Sequence, residues 1–209
     1  MNEMTLELPQ VPQIEGLRCE DHATFVAPYA QKEAFIAYWA QHGLKPLKTT
    51  FITREFPAEH IALVDNPDRK GACERMIGLS VSKDPESPIN KSIKLHGGYR
   101  LRDGQILPGK LQHVAYDVDP AISMEEIYKE LICLGVKFMT PVLKYEDKTG
   151  ATLEQLFVAP ESPFGSFAEI IRRGLGKDGE PFQGFNTEQI DTLYRFYNHH
   201  GETLRRASR

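Results

Sequence analysis

The chain has 209 residues, enough for one large domain or two small ones and for a buried core in either case. Its composition is that of an ordinary globular protein, no apolar run approaches the roughly 18 residues of a membrane span, and a formal charge of −4 without a Lys/Arg stripe argues against nucleic acid as a partner. Cys19, Cys73 and Cys133 are odd in number and form no C-x-x-C pair, which argues against a disulfide framework and a thiolate zinc site and leaves ordinary reduced thiols.

The first 13 residues are polar, acidic and Pro-containing, without the basic start and apolar stretch of a signal peptide, so residues 1–20 read as a short arm on a cytoplasmic protein. Residues 21–27 (DHATFVA) alternate polar and apolar positions as a strand does. After Pro28, residues 31–41 carry Ala34, Phe35, Tyr38 and Trp39 at helical spacing, and Gly43 falls where a helix C-cap sits. Three strands are expected next, at 47–54 (LKTTFITR), 60–65 (HIALVD) and 76–82 (MIGLSVS). A Pro- and Gly-rich link follows, with one alternation at 92–95 (SIKL) that suggests an added edge strand.

The same order then returns. Residues 111–118 (LQHVAYDV) read as a strand, and Ser123 opens a helix with Glu126 placed for a capping box; Ile127, Leu131 and Leu134 form its stripe, and Gly135 stops it. Strands are expected at 136–140, 151–158 (ATLEQLFV) and 166–172 (SFAEIIR). After a glycine-rich turn, a last helix begins at Asn186, where Asn186 and Gln189 suit a capping box and Ile190, Leu193, Tyr194 and Tyr197 form an apolar stripe. The basic residues Arg205, Arg206 and Arg209 read as a frayed, solvated end.

The expected fold is therefore α+β: two βαβββ modules forming one cupped mixed sheet, with helices outside and a C-terminal helix. Residues 21–105 hold the first module and linker, 106–175 the second module, and 176–209 the turn and covering helix. Such a cup leaves a concave, mostly apolar interior suited to a small-molecule ligand; a homodimer is also compatible with the sequence.

Strict alternation places Val114, Tyr116 and Val118 against the second helix and His113 on the opposite face with Leu111, Ala115 and Asp117. In the same way Ala23 and Phe25 face the first helix, and His22 points into the cup. The two histidines thus occupy the first strand of each module on the same face. Glu169, mid-strand in SFAEIIR, supplies a carboxylate, which is costly in apolar surroundings unless paired or bound to a metal. Two imidazoles and one carboxylate form the facial set associated with non-haem iron(II), although zinc, cobalt, nickel or manganese suits the same donors. The plainer alternatives are histidines satisfied within the fold and a Glu169 paired with Arg172 or an edge lysine. His42 and His60 read as surface residues, and His199 and His200 as cations in the last turn of the final helix.

These residues carry a resemblance. GKLQHVAYDV, GVKFMTPVLKY, LEQLF and GSFAEIIRR resemble the vicinal oxygen chelate (glyoxalase/bleomycin resistance/dioxygenase) superfamily, and within it the 4-hydroxyphenylpyruvate dioxygenases, over most of the chain. The resemblance implies His22, His113 and Glu169 as iron ligands, Gln155 beside the substrate, and GFNTEQIDTLYRF as the helix over the active-site mouth, with Phe185 or Phe196 as its aromatic lid. The chain departs from that family in lacking a further N-terminal domain, in a shorter stretch between LKY and LEQLF, and in reading Ile93-Lys94-Leu95-His96 where the family has an asparagine after an Ile-Pro-Leu strand. His96 then reads either as an acid–base group or as an exposed loop residue.

The expected function is a metal-dependent dioxygenase, with iron(II) and a small oxygen-chelating substrate such as an α-keto acid or catechol. A metal-dependent lyase, isomerase or epimerase of the glyoxalase type is the alternative, commonly with a fourth ligand from the first module's last strand, where MIGLSVS offers only Ser80 and Ser82 on one face. A non-catalytic small-molecule binding protein is a third reading.

Overall fold

The computed structural model describes residues 11–65, 76–97, 99–100, 106–107, 109–182 and 187–208. In chain order the elements are β1 (Leu17–Pro28), a single 3-10 turn, α1 (Lys32–Gln41), β2 (Lys45–Ile52), β3 (Glu59–Val64) and β4 (Met76–Ser82). Next come α2 (Pro88–His96) and the two-residue pair β5 (Tyr99–Arg100) and β6 (Ile106–Leu107). The second half holds β7 (Lys110–Val118), α3 (Met124–Cys133), β8 (Leu143–Glu146), β9 (Thr152–Phe157), β10 (Phe167–Arg173) and α4 (Thr187–Ala207).

Eight strands form one sheet in the order β2-β3-β4-β1-β7-β10-β9-β8. Each half pairs its first strand in parallel with its last, β1 with β4 and β7 with β10, while β1 and β7 run antiparallel at the seam. The order on one side of the seam mirrors the other, so the modules are related by a pseudo-two-fold through it. The expected architecture is thereby present, with β1, β7 and β10 at its centre.

The convex face packs on α1 and α3. Phe25, Phe35, Leu63, Leu79 and Val114 form one core with Trp39 beside it; Val118, Met124, Ile127, Leu131, Leu156 and Ile170 form the other. Val11, with Ile14 and Leu17, joins that second core, so the arm is packed from Val11 onward. The capping box is made as expected: Ser123 Oγ accepts from the Glu126 amide, and Glu126 accepts from the Ser123 amide. Gly43 and Gly135 follow their helices with φ of 84° and 85°, where a side chain would strain the backbone.

Three local expectations are corrected. The alternation at 92–95 is helical, not an edge strand: Ser87 accepts from the Asn90 amide at 3.2 Å, Pro88 occupies the first turn, and Ile89, Ser92 and Ile93 share the inner face. The strand expected at 136–140 reduces to one bridge, Phe138 to Val158, and the pairing strand is β8, beyond Pro141, whose missing N–H interrupts the earlier run. His199 and His200 lie mid-helix, because α4 continues to Ala207. Cys133 is a free, exposed thiol. No described helix is long and apolar enough to cross a membrane.

The concave face is covered by α2 and α4. Leu193 and Tyr197 pack on Phe157, Phe164 and Phe167, and Tyr194 packs with Val26, Ala58 and Ile89. The C-terminal half of α4 is tied down at several points. Tyr197 donates to the carbonyls of Phe164 (2.7 Å) and Gly165 (3.1 Å), His200 meets Pro160 O at 3.0 Å, and Glu202 pairs with Lys91 at 2.8 Å. Lys110 and Ser92 also donate to Phe164 O, at 3.0 and 2.9 Å. Burial holds Lys110 down to about 7.

Candidate metal centre

Sheet register brings the three expected ligands together. His22 on β1 and Glu169 on β10 both lie opposite Ala115 on β7, and His113 sits one pleat along, opposite Thr24 and Phe167. Paired residues share a face, so all three side chains enter the cup, and the methyl of Ala115 leaves space between His22 and Glu169. The donor atoms lie within 4.8 Å of one another, on residues 5%, 4% and 1% exposed. His22 Nε2 is 3.5 Å and His113 Nε2 is 3.3 Å from Glu169 Oε2, and the two Nε2 atoms are 3.3 Å apart. Ligands at right angles and about 2.1 Å from one ion would lie about 3 Å apart, so this face is close to the spacing an ion requires.

Both Nε2 atoms converge because both Nδ1 atoms are occupied, and a pair of bulges arranges this. In β1 the partner of Glu20 is Tyr116 and that of His22 is Ala115, so Asp21 is an extra residue; in β7 Gln112 is extra between Leu111 and His113. Neighbours in a regular strand point to opposite faces, whereas here each extra residue lies beside the following imidazole. Asp21 Oδ1 is 2.7 Å from His22 Nδ1, and Gln112 Oε1 is 3.2 Å from His113 Nδ1. The second bulge corrects the expected face of Leu111, which joins the convex core with Phe25 and Val114. The alternative pairing of Glu169 with Arg172 is also excluded, since Arg172 is on the opposite face with Glu154 at 3.0 Å.

The electrostatics differ between the two imidazoles. Burial opposes charge on His22, but hydrogen bonds to Asp21 and Glu169 and the charges of both carboxylates outweigh it and push it up to about 9. Burial dominates at His113 and holds it down to about 3. Glu169 is buried, which favours its neutral form, yet the histidines and Gln155 hold it below the usual carboxylate range. A proton on His22 and a divalent cation compete for one place between carboxylates, since a ligating imidazole must be unprotonated. Gln155 Nε2 donates to Glu169 Oε1 at 2.6 Å, and its own Oε1 is buried with no hydrogen-bond partner among the described residues. Three buried N/O donors on one face, with an orphaned amide oxygen beside them, fit a divalent metal and a polar ligand group.

The cup holds a cavity with about 80 Å³ open to the centre of a water molecule, where one water needs about 10–15 Å³. Phe157, Ile190 and Leu193 are among its apolar walls. Away from the triad it has a second polar end that the sequence reading missed. Gln112 Nε2 donates to Tyr194 OH at 3.0 Å, and His60 Nδ1 lies 2.7 Å from Ser80 Oγ. His60, expected at the surface, is 7% exposed and held down to about 3 by burial. Its position in the apolar alternation of HIALVD was the available signal. Gln189, expected in a capping box, is buried and lines the cavity; Asn186 lies outside the described residues.

The remaining expected site residues are placed differently. His96 ends α2 with Nε2 2.8 Å from Pro163 O and does not line the cavity. Phe196 is half-buried and also absent from the lining, where Leu193 and Tyr194 stand instead; Phe185 lies outside the described residues.

No protein-family profile matches the chain, and no curated protein sequence does. Solved structures do. A variant of 4-hydroxymandelate synthase from Streptomyces coelicolor is similar with a TM-score of 0.65 at 20% identity, over 88% of this chain and 55% of that one. A xylose isomerase-like TIM barrel/4-hydroxyphenylpyruvate dioxygenase fusion protein gives 0.57 at 17%, covering 86% and 28% of the two chains. A methylmalonyl-CoA epimerase gives 0.52 at 19%, covering 77% and 98%. At 17–20% identity the likeness is one of fold, and this chain shares the fold of these neighbours. The chain spans about half the length of the synthase it matches.

Proposed function

We propose that the protein is a metal-dependent enzyme, a non-haem iron(II) dioxygenase acting on a small oxygen-chelating substrate such as an α-keto acid or a catechol. One observation carries the choice: among the described residues the centre has three protein donors, and the place of a fourth is a glycine. Gly78 on β4 pairs with Thr24 on β1 as Glu169 on β10 pairs with Ala115 on β7, and it stands as far beyond His22 in the chain as Glu169 stands beyond His113. The pseudo-two-fold therefore relates Gly78 to Glu169. A Cβ at Gly78 would run into Thr24 Oγ1, so Thr24 fills the position where a carboxylate would reach the ion. A three-donor face leaves the coordination that a chelating substrate and a gas both need.

His22, His113 and Glu169 would hold the ion, and iron(II) there supplies the redox chemistry that lets dioxygen react with a spin-paired organic substrate. The chain's own residues do the rest. Gln155 steadies Glu169 through Nε2 and presents Oε1 as an acceptor for a substrate N–H or O–H. Phe157, Ile190 and Leu193 cover the hydrocarbon part of the ligand and keep bulk water from the reacting atoms. The same fold carries dioxygenase and synthase names on two neighbours, in accord with this reading.

A second reading, proton transfer beside a metal-stabilised enolate, is favoured by the near-complete coverage (98%) of a methylmalonyl-CoA epimerase. The two are separated by measuring the metal in protein purified without chelator, then oxygen uptake after iron(II) loading with a panel of α-keto acids and catechols. Uptake coupled to substrate loss is expected. Fully iron-loaded protein inert across the panel, with zinc or nickel as the resident ion and solvent exchange next to a carbonyl, would replace the dioxygenase by the epimerase type.

A further inference from the structure

The two histidines have equivalent positions but unlike supports. Behind His113 the acceptor is an amide, Gln112, whose Nε2 donates to Tyr194. Behind His22 it is a carboxylate, Asp21, about four-fifths enclosed by protein and facing a guanidinium. Arg173 Nη2 is 3.3 Å from Asp21 Oδ1 and its Nε is 3.4 Å from Oδ2, while Nη1 donates to Phe182 O at 3.0 Å. Asp21 belongs to the first module and Arg173 to the second, two residues along the cup face from the paired position of Ile171. The nearby charges are Asp117, which opposes Asp21, and Arg18, 3.8 Å from Asp117. The chain Arg173–Asp21–His22 therefore runs across the seam and ends at an Nε2 aimed into the triad.

We propose that Asp21, held in place by Arg173, is the positioning residue that sets how tightly the His22–His113–Glu169 centre holds a divalent ion and at what potential an iron there changes oxidation state. The inference rests on reading that triad as a metal centre. The physical basis is twofold. Accepting the Nδ1 proton fixes the tautomer with its lone pair on Nε2, and it fixes the ring plane. The negative charge, partly shielded from water, makes His22 a stronger electron donor than His113 and favours the more highly charged ion. Arg173 keeps Asp21 ionised and aimed; the resulting pair acts through His22 and has no contact with the substrate space.

The test uses the full chain with cobalt(II) and iron(II) as the bare ions, comparing Asp21→Asn, Asp21→Ala, Arg173→Gln and, as a control for lost charge on the same strand, Arg172→Gln. Asp21→Asn keeps a hydrogen-bond acceptor and removes only the charge. By chelator competition it is expected to bind cobalt(II) about 10-fold more weakly, and Asp21→Ala up to about 100-fold more weakly. Arg173→Gln should fall between wild type and Asp21→Ala, and Arg172→Gln should match wild type. The visible cobalt(II) bands should move in both Asp21 variants, and the iron midpoint potential should rise in Asp21→Asn. A purely structural role would lower the melting temperature without shifting the bands or the potential. If wild type takes up no ion, the metal-centre reading fails. If wild type binds and Asp21→Asn matches it in affinity, bands and potential, that reading stands and this inference is overturned. Should Asp21→Ala fail to fold, Asp21→Asn and Arg173→Gln still decide the outcome.

Discussion

Replacing Glu169 by glutamine removes one charge from the proposed centre with little change in volume. The new side chain keeps an oxygen at the Oε1 position for the donor of Gln155, 2.6 Å away, but places an NH2 where Oε2 faces both imidazoles. His22 retains Asp21, so the metal-free fold should persist, while the cation loses its only anionic donor among the three. The measurable quantity is thermal stabilisation by the ion. A ligand at 100 times its Kd stabilises the folded state by about 2.7 kcal/mol, and for a chain of this size each kcal/mol moves Tm by about 2–4 °C, so wild type should gain roughly 5–11 °C. Glu169→Gln should gain less than about 2 °C at the same ion concentration. Differential scanning fluorimetry with cobalt(II), checked by circular dichroism without metal, reads both numbers. An equal gain in the variant would refute the role of Glu169; no gain in wild type at millimolar ion would refute the centre.

Installing a carboxylate at the pseudo-symmetric place, by Gly78→Glu combined with Thr24→Ala to clear the Oγ1 contact, should tighten zinc binding and abolish oxygen uptake, as read by chelator competition and an oxygen electrode. His60 is held down to about 3 in the fold against an unfolded value near 6.5, so the unfolded chain binds the extra proton between those limits. Its contribution to stability is complete above pH of about 6.5 and is lost as pH falls toward 3, by up to about 1.4 kcal/mol per unit; His60→Gln should flatten that slope in urea titrations. A Cβ at Gly201 would lie 2.6–2.8 Å from the Phe164 ring, which is fully buried, so Gly201→Val should cost about 1–3 kcal/mol. Ser123→Ala, which removes the cap of α3, should cost about 0.5–2 kcal/mol by the same denaturation assay.

The architecture and the triad were readable because they depend on regular features. Alternation in DHATFVA and LQHVAYDV, helix stripes ended by Gly43 and Gly135, and the recurrence of element order all follow from strand and helix periods. What escaped the sequence are departures from those periods. An extra residue in one strand of a pair has no local signature, so the bulges at Asp21 and Gln112 cannot be read from the residues, and strict alternation puts Leu111 on the wrong face. Four residues of alternation, SIKL, satisfy helix and strand equally until Ser87 and Pro88 are weighed as a cap. His60 is buried where strand-start polarity suggests exposure, because that polarity says nothing about the helix that closes over it; α4 places Tyr194 against its ring at 5.1 Å. His96 followed from the comparison with a family pattern, and a place in a pattern does not orient a side chain.

The fastening of α4 has a consequence for the wall of the cup. Its C-terminal half is moored by the carbonyls of Pro160, Phe164 and Gly165, whereas the half carrying Gln189, Ile190 and Leu193 is held by the buried side chains of Leu193 and Tyr194 as well as by exposed contacts such as Arg195 with Glu55 and Asp191 with the Arg54 amide. Exposed pairs of that kind contribute roughly 0–1 kcal/mol, so burial of Leu193 and Tyr194 supplies most of the hold on that half. The side of the cavity formed by Gln189, Ile190, Leu193 and Tyr194 is therefore held more by buried packing, which salt does not screen, than by surface charge.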